Sequence, residues 1–402
     1  MATVSSVARE LRKKQIRDTT LALGQPGVAL LFAYLVKARP DRGHEEIALR
    51  FLERAAQSVS AKKTPASLYS GLTGVAWTIT HLKPLLGLEG KYPNAKIDRA
   101  LETYLRASSW RGEYDLISGL TGLGIYALEC LPQPSAVRLL KRVVDHLDST
   151  AIRNSHGCTW LSRVEFLSHD WRKSYPNGCY DLGLAHGVPG VIALLGRICG
   201  TQNEKLRATR TTARKLLDGA VSWLLRQKSS HSKVSVFPTC VAEKTAPPIG
   251  GSRLAWCYGD LGIATALLLA ARCVSQATWE VEALSLARHA ARRSFKQSGV
   301  IDTGLCHGAA GVAHLFNRLY QATGERVFRD AARYWFHQTM KMRRLKYGVA
   351  GFPARLYKRS IGKHWSAQPG LLYGAAGIAL ALLSAVTPVE PAWDRVMLAS
   401  MR

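Results

Sequence analysis

One four-residue step, Gly-x-x-Gly, occurs seven times along this 402-residue chain. A run of almost entirely apolar residues follows each step, such as VALLFAYL after the first and IALALLSAV after the last. A helix that is apolar around most of its circumference belongs in a protein interior, so the pattern predicts seven buried helices. The first glycines of the steps are Gly24, Gly71, Gly119, Gly187, Gly259, Gly308 and Gly374.

Helices of a second kind are predicted between these runs. The segment SAVRLLKRVVDHL carries its apolar residues on one stripe, at the i, i+3, i+4 and i+7 spacing of an amphipathic helix, and ARKLLDGAVSWLLRQ repeats the pattern. Seven hairpins of one buried and one amphipathic helix cannot all bury their inner helices in an open row. A closed ring solves this, so we predict an all-α fold: an α/α toroid forming a single domain over residues 1–402.

Three intervals between steps are longer than the others and predict insertions near 150–182, 228–252 and 345–370. The segment KVSVFPTCV (233–241), with prolines and glycines after it, predicts a short strand or hairpin. We expect loops with small β elements at one end of the ring, where they would shape substrate access. The glycine pairs are expected to permit positive φ and close backbone approach where each loop enters a helix.

The charge of the chain is unusual. Fifty-five Lys and Arg face 28 Asp and Glu, which gives a net charge of +27. Such a field attracts polyanions, although solvated outer helix faces are the more ordinary explanation. Zinc-finger spacing, RRM-like aromatic motifs and bZIP patterns are absent from the sequence, so no nucleic-acid partner is expected.

The cysteines and the apolar runs bear on the compartment. Eight cysteines without a secretory signal favour reduced thiols in the cytoplasm, some of them free to bind metal. The apolar runs are too short or too interrupted by glycine and proline to predict a spanning helix.

The residues just before each first glycine carry the functional signal. In a ring, equivalent positions converge on one end of the central axis, which would bring Cys257, Cys306 and His307 together, with His186 and Tyr258 close by. Two cysteines and one histidine are good Zn²⁺ ligands, and three protein ligands leave a fourth position open for substrate. The competing interpretation is that the cysteines are packed core thiols and His307 caps a helix.

Several strings resemble the lanthionine synthetase C-like family, the lanthipeptide cyclases, and the likeness runs from the first repeat to the last. The matching strings are YDLISGLTG (114–122), LGLAHGVPG (182–190), RLAWCYGDLG (253–262), LCHGAAG (305–311) and LLYGAAGIALAL (371–382). The resemblance implies an α/α toroid that binds one Zn²⁺ per chain through Cys257, Cys306 and His307. It also implies roles near the metal for Asp115, His186, Arg253 and Tyr258.

The chemistry that this resemblance implies is an intramolecular Michael-type addition. A cysteine thiol of a dehydrated precursor peptide adds to dehydroalanine or dehydrobutyrine and closes a (methyl)lanthionine thioether ring. A metal favours the thiolate form of the thiol. His186 is the expected general acid for the enolate, with Asp115 as its orienting partner. Arg253 or Tyr258 would stabilise the developing charge, although Asp115 could instead cap a helix and Arg253 could form a structural ion pair.

Other functions fit the residues less well. Toroidal glycosidases need paired carboxylates, and the mouth loops offer chiefly Asp115 and Asp260. Toroidal zinc prenyltransferases also activate a thiol, but their motifs do not match these strings. The alternative that stays open is a noncatalytic zinc protein of the same family that binds small thiols or a signalling partner.

The expected partners follow from the resemblance. They are a dehydrated precursor peptide with a leader segment, a separate dehydratase and an export transporter. The expected location is the cytoplasm, with association to the membrane through a biosynthetic complex.

Overall fold

The computed structural model describes residues 1–40, 43–61, 64–229, 234–242, 251–358 and 362–401. In chain order its α-helices are α1 (Ala2–Lys13), α2 (Gln25–Ala38), α3 (His44–Ala61), α4 (Leu72–Leu85), α5 (Ala95–Tyr104), α6 (Leu120–Glu129), α7 (Pro134–Thr150), α8 (His169–Ser174), α9 (Val188–Cys199), α10 (Arg207–Leu225), α11 (Asp260–Cys273), α12 (Ala277–Ala291), α13 (Phe295–Ser298), α14 (Ala309–Thr323), α15 (Arg326–Lys341) and α16 (Ala375–Val386). Short 3-10 helices are formed by Val164–Phe166, Glu204–Leu206 and Ala392–Met397. Among the described residues, no helix has both the length and the apolar character needed to cross a bilayer.

The chain divides into two compact units. The first comprises Met1–Asn94 and Val300–Ser400, and the second comprises Ala95–Gly299 and Met401–Arg402. The single domain expected over residues 1–402 stays a prediction.

The predicted alternation of buried and amphipathic helices is present in the first unit. Helices α2, α4, α14 and α16 begin directly after Gly-x-x-Gly glycines and are buried along most of their length. Helix α3 packs on α2, α15 packs on α14, and α1 packs on α16. On α15 the buried residues follow the helical spacing of one face, since they are Phe328, Ala331, Ala332, Trp335 and Thr339.

Backbone hydrogen bonds join neighbouring loops of the first unit at equivalent positions. The Cys306 N–H donates to Leu372 O at 2.9 Å, the Leu372 N–H to Ala22 O at 2.9 Å, and the Ala22 N–H to Tyr69 O at 3.0 Å. Each of these residues stands two places before the first glycine of its step. The last repeat therefore lies directly beside the first, as a closed row of repeats requires.

The second unit repeats the arrangement. Buried helices α6, α9 and α11 pair with α7, α10 and α12, and α5 packs on α7. The predicted stripe of α7 is buried, namely Ala136, Leu139, Leu140, Val143, Val144 and Leu147. Equivalent loops are again joined by their backbones, since the Ala185 N–H donates to Cys257 O at 3.3 Å.

Short antiparallel strand pairs lie in the three predicted insertions. Strand β1 (Ile152–Asn154) pairs with β2 (Gly157–Thr159), β3 (Tyr180–Asp181) pairs with β4 (Cys240–Val241), and β5 (Ala354–Lys358) pairs with β6 (Gly362–Ser366).

The strand predicted over 233–241 needs correction. Only Cys240–Val241 is a strand, and its partner is Tyr180–Asp181 rather than a local hairpin. The cause lies upstream, where the Val236 and Phe237 N–H groups both donate to the Asp260 carboxylate at 3.0 Å and are not available for a sheet. Residues 233 and 243–250, including the prolines and Gly250 that supported a turn, lie outside the described residues.

The role expected of the glycines is half right. Among the first glycines of the steps only Gly259 adopts positive φ, at +88°, and the other six have negative φ. Close approach is the more general reason. A Cβ on Gly311, the second glycine of its step, would overlap the Leu305 carbonyl oxygen.

Candidate active site

The loop before α14 carries Cys306 and His307. Its shape is held by Asp302, whose backbone oxygen accepts from the Ala309 N–H at 2.9 Å and whose Oδ1 accepts from the Gly304 N–H at 3.1 Å. The other carboxylate oxygen, Oδ2, lies 3.5 Å from His307 Nε2. The buried Asp302 therefore has two roles, since one carboxylate oxygen shapes this loop and the other faces the His307 ring.

Cys257 occupies the equivalent position of the loop before α11. Its side chain is buried, and its carbonyl oxygen accepts from the loop before α9. Gly183 allows this approach, since a Cβ there would press against Cys257 O and the Tyr258 ring.

The three predicted ligands come together. Cys257 Sγ, Cys306 Sγ and one ring nitrogen of His307 all lie within 4.8 Å of one another. Among the described residues, no other group of three or more His, Cys, Asp or Glu side chains meets this criterion. The cluster could hold a metal ion.

A histidine–carboxylate pair lies in the second unit. His186 Nδ1 is 2.7 Å from Asp115 Oδ2, while Asp115 Oδ1 accepts from the Ser118 N–H at 2.8 Å. The Asp115 side chain is 1% exposed and that of His186 is 44% exposed. Asp115 is therefore fixed in the interior, and the imidazole it holds remains accessible.

Tyr258 belongs to the same group of side chains. Its hydroxyl donates to Asp181 Oδ2 at 2.8 Å, and its ring lies nearly parallel to that of His186, with centroids 6.0 Å apart. Asp181 Oδ1 accepts from the Gly183 N–H at 2.7 Å. The tyrosine is thus oriented by a buried carboxylate, as His186 is.

The charges of this group alter one another. Burial disfavours charged His186, but the hydrogen bond to Asp115 and the negative charges of Asp115, Asp181 and Cys257 raise its pKa to about 9. Burial, together with the Asp115 charge, raises the pKa of Glu113 to about 7. Burial raises the pKa of Asp181 to about 6, against the opposing effects of His186 and two hydrogen bonds. At neutral pH the His186 ring is therefore in its protonated, positively charged form.

Arg253 is not brought into this group. Its side chain is exposed, and no hydrogen bond or ion pair connects it to another described residue. Asp260, the other carboxylate of the mouth loops, is fully buried, forms an ion pair with Arg293 and accepts from the Val236 and Phe237 N–H groups. It has a structural role.

Asp181, Glu113 and Asp302 are site residues that the sequence analysis missed. Each stands six positions before the first glycine of its step, the position that Arg253 and Asp18 occupy in other repeats. Aligning that position, in addition to the two nearest the glycine, is the signal that would have found them.

We expect the Asp115→Asn variant to lower the pKa of His186 from about 9 toward its ordinary value near 6.5, because the amide removes the nearest negative charge. The pair stabilises the fold fully below pH 6.5, and that contribution is lost as the pH rises through 9. An NMR titration of the His186 ring measures the change, with Asp145→Asn, on an exposed position of α7, as control. An unchanged titration in Asp115→Asn would assign the proton to other carboxylates.

The chain belongs to the family described as Lanthionine synthetase C-like protein, which matches residues 15–398. It is similar to the Nisin biosynthesis protein NisC of Lactococcus lactis subsp. lactis, with 26% identity over 319 residues that cover 75% of this chain and 74% of that protein. Among solved structures it is similar to Nisin cyclase, with a TM-score of 0.77 and 21% identity, over 99% of this chain and 97% of the other. The fold is accordingly the predicted α/α toroid.

Proposed function

We propose that this protein is a zinc-dependent lanthipeptide cyclase. It would form (methyl)lanthionine rings by adding cysteine thiols to dehydroalanine or dehydrobutyrine within one dehydrated peptide. The observation that carries the proposal is the cluster of Cys257, Cys306 and His307, with ligand atoms within 4.8 Å, in a chain of this family. The names of the similar proteins, a nisin cyclase and a nisin biosynthesis protein, support the same reaction class.

The donor set fits zinc. Two thiolates and an imidazole are the ligands Zn²⁺ prefers, and three protein ligands are one fewer than a closed structural site has. When bound there, one zinc ion per chain would supply a Lewis acid that favours the thiolate form of a substrate thiol. Asp302 faces His307 from the side and would orient the ring as a ligand, the usual task of a carboxylate beside a metal-binding histidine.

The remaining chemistry is a proton transfer. As the sulfur adds to the β-carbon of the dehydroamino acid, the electron pair of the carbon–carbon double bond moves toward the neighbouring carbonyl, and the α-carbon then takes a proton. The His186 ring is positively charged at neutral pH, because Asp115 stabilises that form. The His186 side chain is also accessible. We assign it the role of general acid, with Asp115 positioning it.

Tyr258 and Arg253 are assigned to the developing enolate. The Tyr258 ring lies beside His186, and its hydroxyl is oriented by Asp181. The Arg253 guanidinium is exposed, and in this proposal it would turn toward the bound peptide and bring positive charge to the enolate.

Partners follow from this chemistry. Dehydroalanine and dehydrobutyrine arise when water is eliminated from Ser and Thr, so a dehydratase must act on the peptide first. We propose a dehydrated precursor peptide with a leader segment as substrate, and a separate dehydratase and an export transporter as partners.

The function is tested with a synthetic peptide that contains one dehydroalanine and one cysteine. Ring closure leaves the mass unchanged but removes the free thiol, so N-ethylmaleimide labelling and mass spectrometry follow the reaction. We expect the zinc-loaded protein to consume the thiol much faster than buffer alone. Binding of the peptide without thiol loss would favour the noncatalytic alternative, a zinc protein that only binds thiols or a signalling partner.

A further inference from the structure

A cavity of about 660 Å³ lies in the first unit, apart from the residues assigned to the reaction. It is bounded by the C-terminal end of α1, the segment after it and one side of α3. Its described lining includes six cationic side chains and no carboxylate: Arg12, Lys13, Lys14, Arg17, Arg50 and Arg54. A cavity with one sign of charge concentrates ions of the opposite sign.

The lining contains a buried side-chain amide, that of Gln25, whose oxygen lacks a hydrogen-bond donor within the described chain. Gln25 is 5% exposed, and its Nε2 donates to Ile16 O at 2.7 Å, which fixes the orientation of the amide. Its Oε1 has no hydrogen-bond partner among the described residues. A buried acceptor without a partner is costly, so a ligand that brings an N–H group would be favoured here.

The same lining contains a buried guanidinium nitrogen, Nε of Arg50, that lacks a hydrogen-bond acceptor in the described part of the chain. Arg50 donates through one terminal nitrogen to Arg12 O at 3.3 Å, whereas its buried Nε has no partner among the described residues. Two residues of the described lining thus carry a buried unpaired acceptor and a buried unpaired donor, and the lining as a whole has excess positive charge. A phosphate polyanion offers acceptors only, but an acidic peptide offers carboxylates, carbonyls and backbone N–H groups together.

We propose that this cavity binds an acidic peptide segment. In a step that rests on the proposed function, the segment is a part of the substrate peptide outside the ring-forming residues. The cavity would then raise the local concentration of the reactive part without taking part in bond formation.

The test is fluorescence anisotropy with a labelled twelve-residue peptide of alternating Glu and Gly, titrated with the zinc-loaded full chain. Replacing Arg12 and Arg54 by Glu together should weaken binding about tenfold, because two attractions become two repulsions. The matched control is Lys141→Glu with Arg142→Glu, an equal charge change on exposed α7 positions. Circular dichroism verifies that both variants are folded. Raising the salt concentration should weaken binding to the wild type, since exposed charges are screened beyond about 10 Å at 0.1 M.

Two further probes address the unpaired acceptor at Gln25. A backbone N-methylated peptide of the same charge should bind several-fold more weakly, and an inorganic polyphosphate of the same charge, which has no N–H donor, should also bind more weakly. Equal affinity for all three probes, or equal weakening by the cavity variant and the control, would overturn the proposal. Because the assay needs no cyclisation, a protein that binds the peptide but closes no rings would refute only the proposed function.

Discussion

Replacement of Cys306 by alanine is expected to remove zinc from the protein. Cys306 provides one of only two thiolates in a set of three ligands, and the neighbouring loop atoms offer no substitute donor of the same softness. The zinc content, measured by metal analysis after dialysis, should fall from about one ion per chain to nearly none. Ring closure should fall with it to the rate of the uncatalysed peptide.

Cys199→Ala is the matched control, because it removes a partly buried cysteine that is not in the cluster. It should retain zinc and activity. Full zinc occupancy in a Cys257→Ala, Cys306→Ala double variant would contradict the ligand assignment. Thermal unfolding of the single variants separates loss of metal from loss of fold.

The second large effect is expected for His186→Ala, which should retain zinc and bind peptide but close rings about 10²–10⁴-fold more slowly. Two positions before its first glycine this repeat has Ala185, where the next two repeats have Cys257 and Cys306, so His186 has no thiol ligand beside it in sequence. Its ring is paired with Asp115 and raised in pKa, properties of a proton donor. Timed thiol alkylation measures the rate, and chiral analysis shows whether protonation of the α-carbon loses its stereochemistry.

Two outcomes would assign His186 differently. Loss of zinc in His186→Ala would make it a ligand or a support of the metal site, and a wild-type rate would remove it from the mechanism. Asp115→Asn provides the intermediate case, since it keeps the imidazole but lowers its pKa. We expect its rate to be reduced most at alkaline pH, where less of the ring remains protonated.

The helices and the ligand set could be predicted because they follow from periodicity. Each buried helix is apolar all around, each outer helix carries one stripe, and repetition places the ligands at equivalent positions. The stripe of α7 and the meeting of Cys257, Cys306 and His307 were both predicted in this way. The same positions placed His186 and Tyr258 close by, and family resemblance then added Asp115 and Arg253. In the structure Asp115 Oδ2 lies 2.7 Å from His186 Nδ1, and the Tyr258 and His186 ring centroids are 6.0 Å apart.

The features that were missed depend on contacts distant in sequence. The β3–β4 pair is two residues long on each side and joins segments some sixty residues apart, as Tyr180↔Val241 shows. Asp181 and Glu113 were missed for a different reason: only the two positions nearest each first glycine were aligned, and these residues stand six positions before it.

The packing of α1 on α16 has a consequence for the order in which the protein folds during its synthesis. The second unit is nearly continuous in sequence, so almost all of its segments have left the ribosome once Gly299 has emerged. The first unit must wait, because α1 and α2 both pack on α16, which is the last of the described α-helices in chain order. Until then the apolar residues Val4, Val7 and Leu11 lack their final cover. Helix α1, which is synthesised long before α16, therefore lacks its packing partner during that interval and is exposed to chaperones and to aggregation.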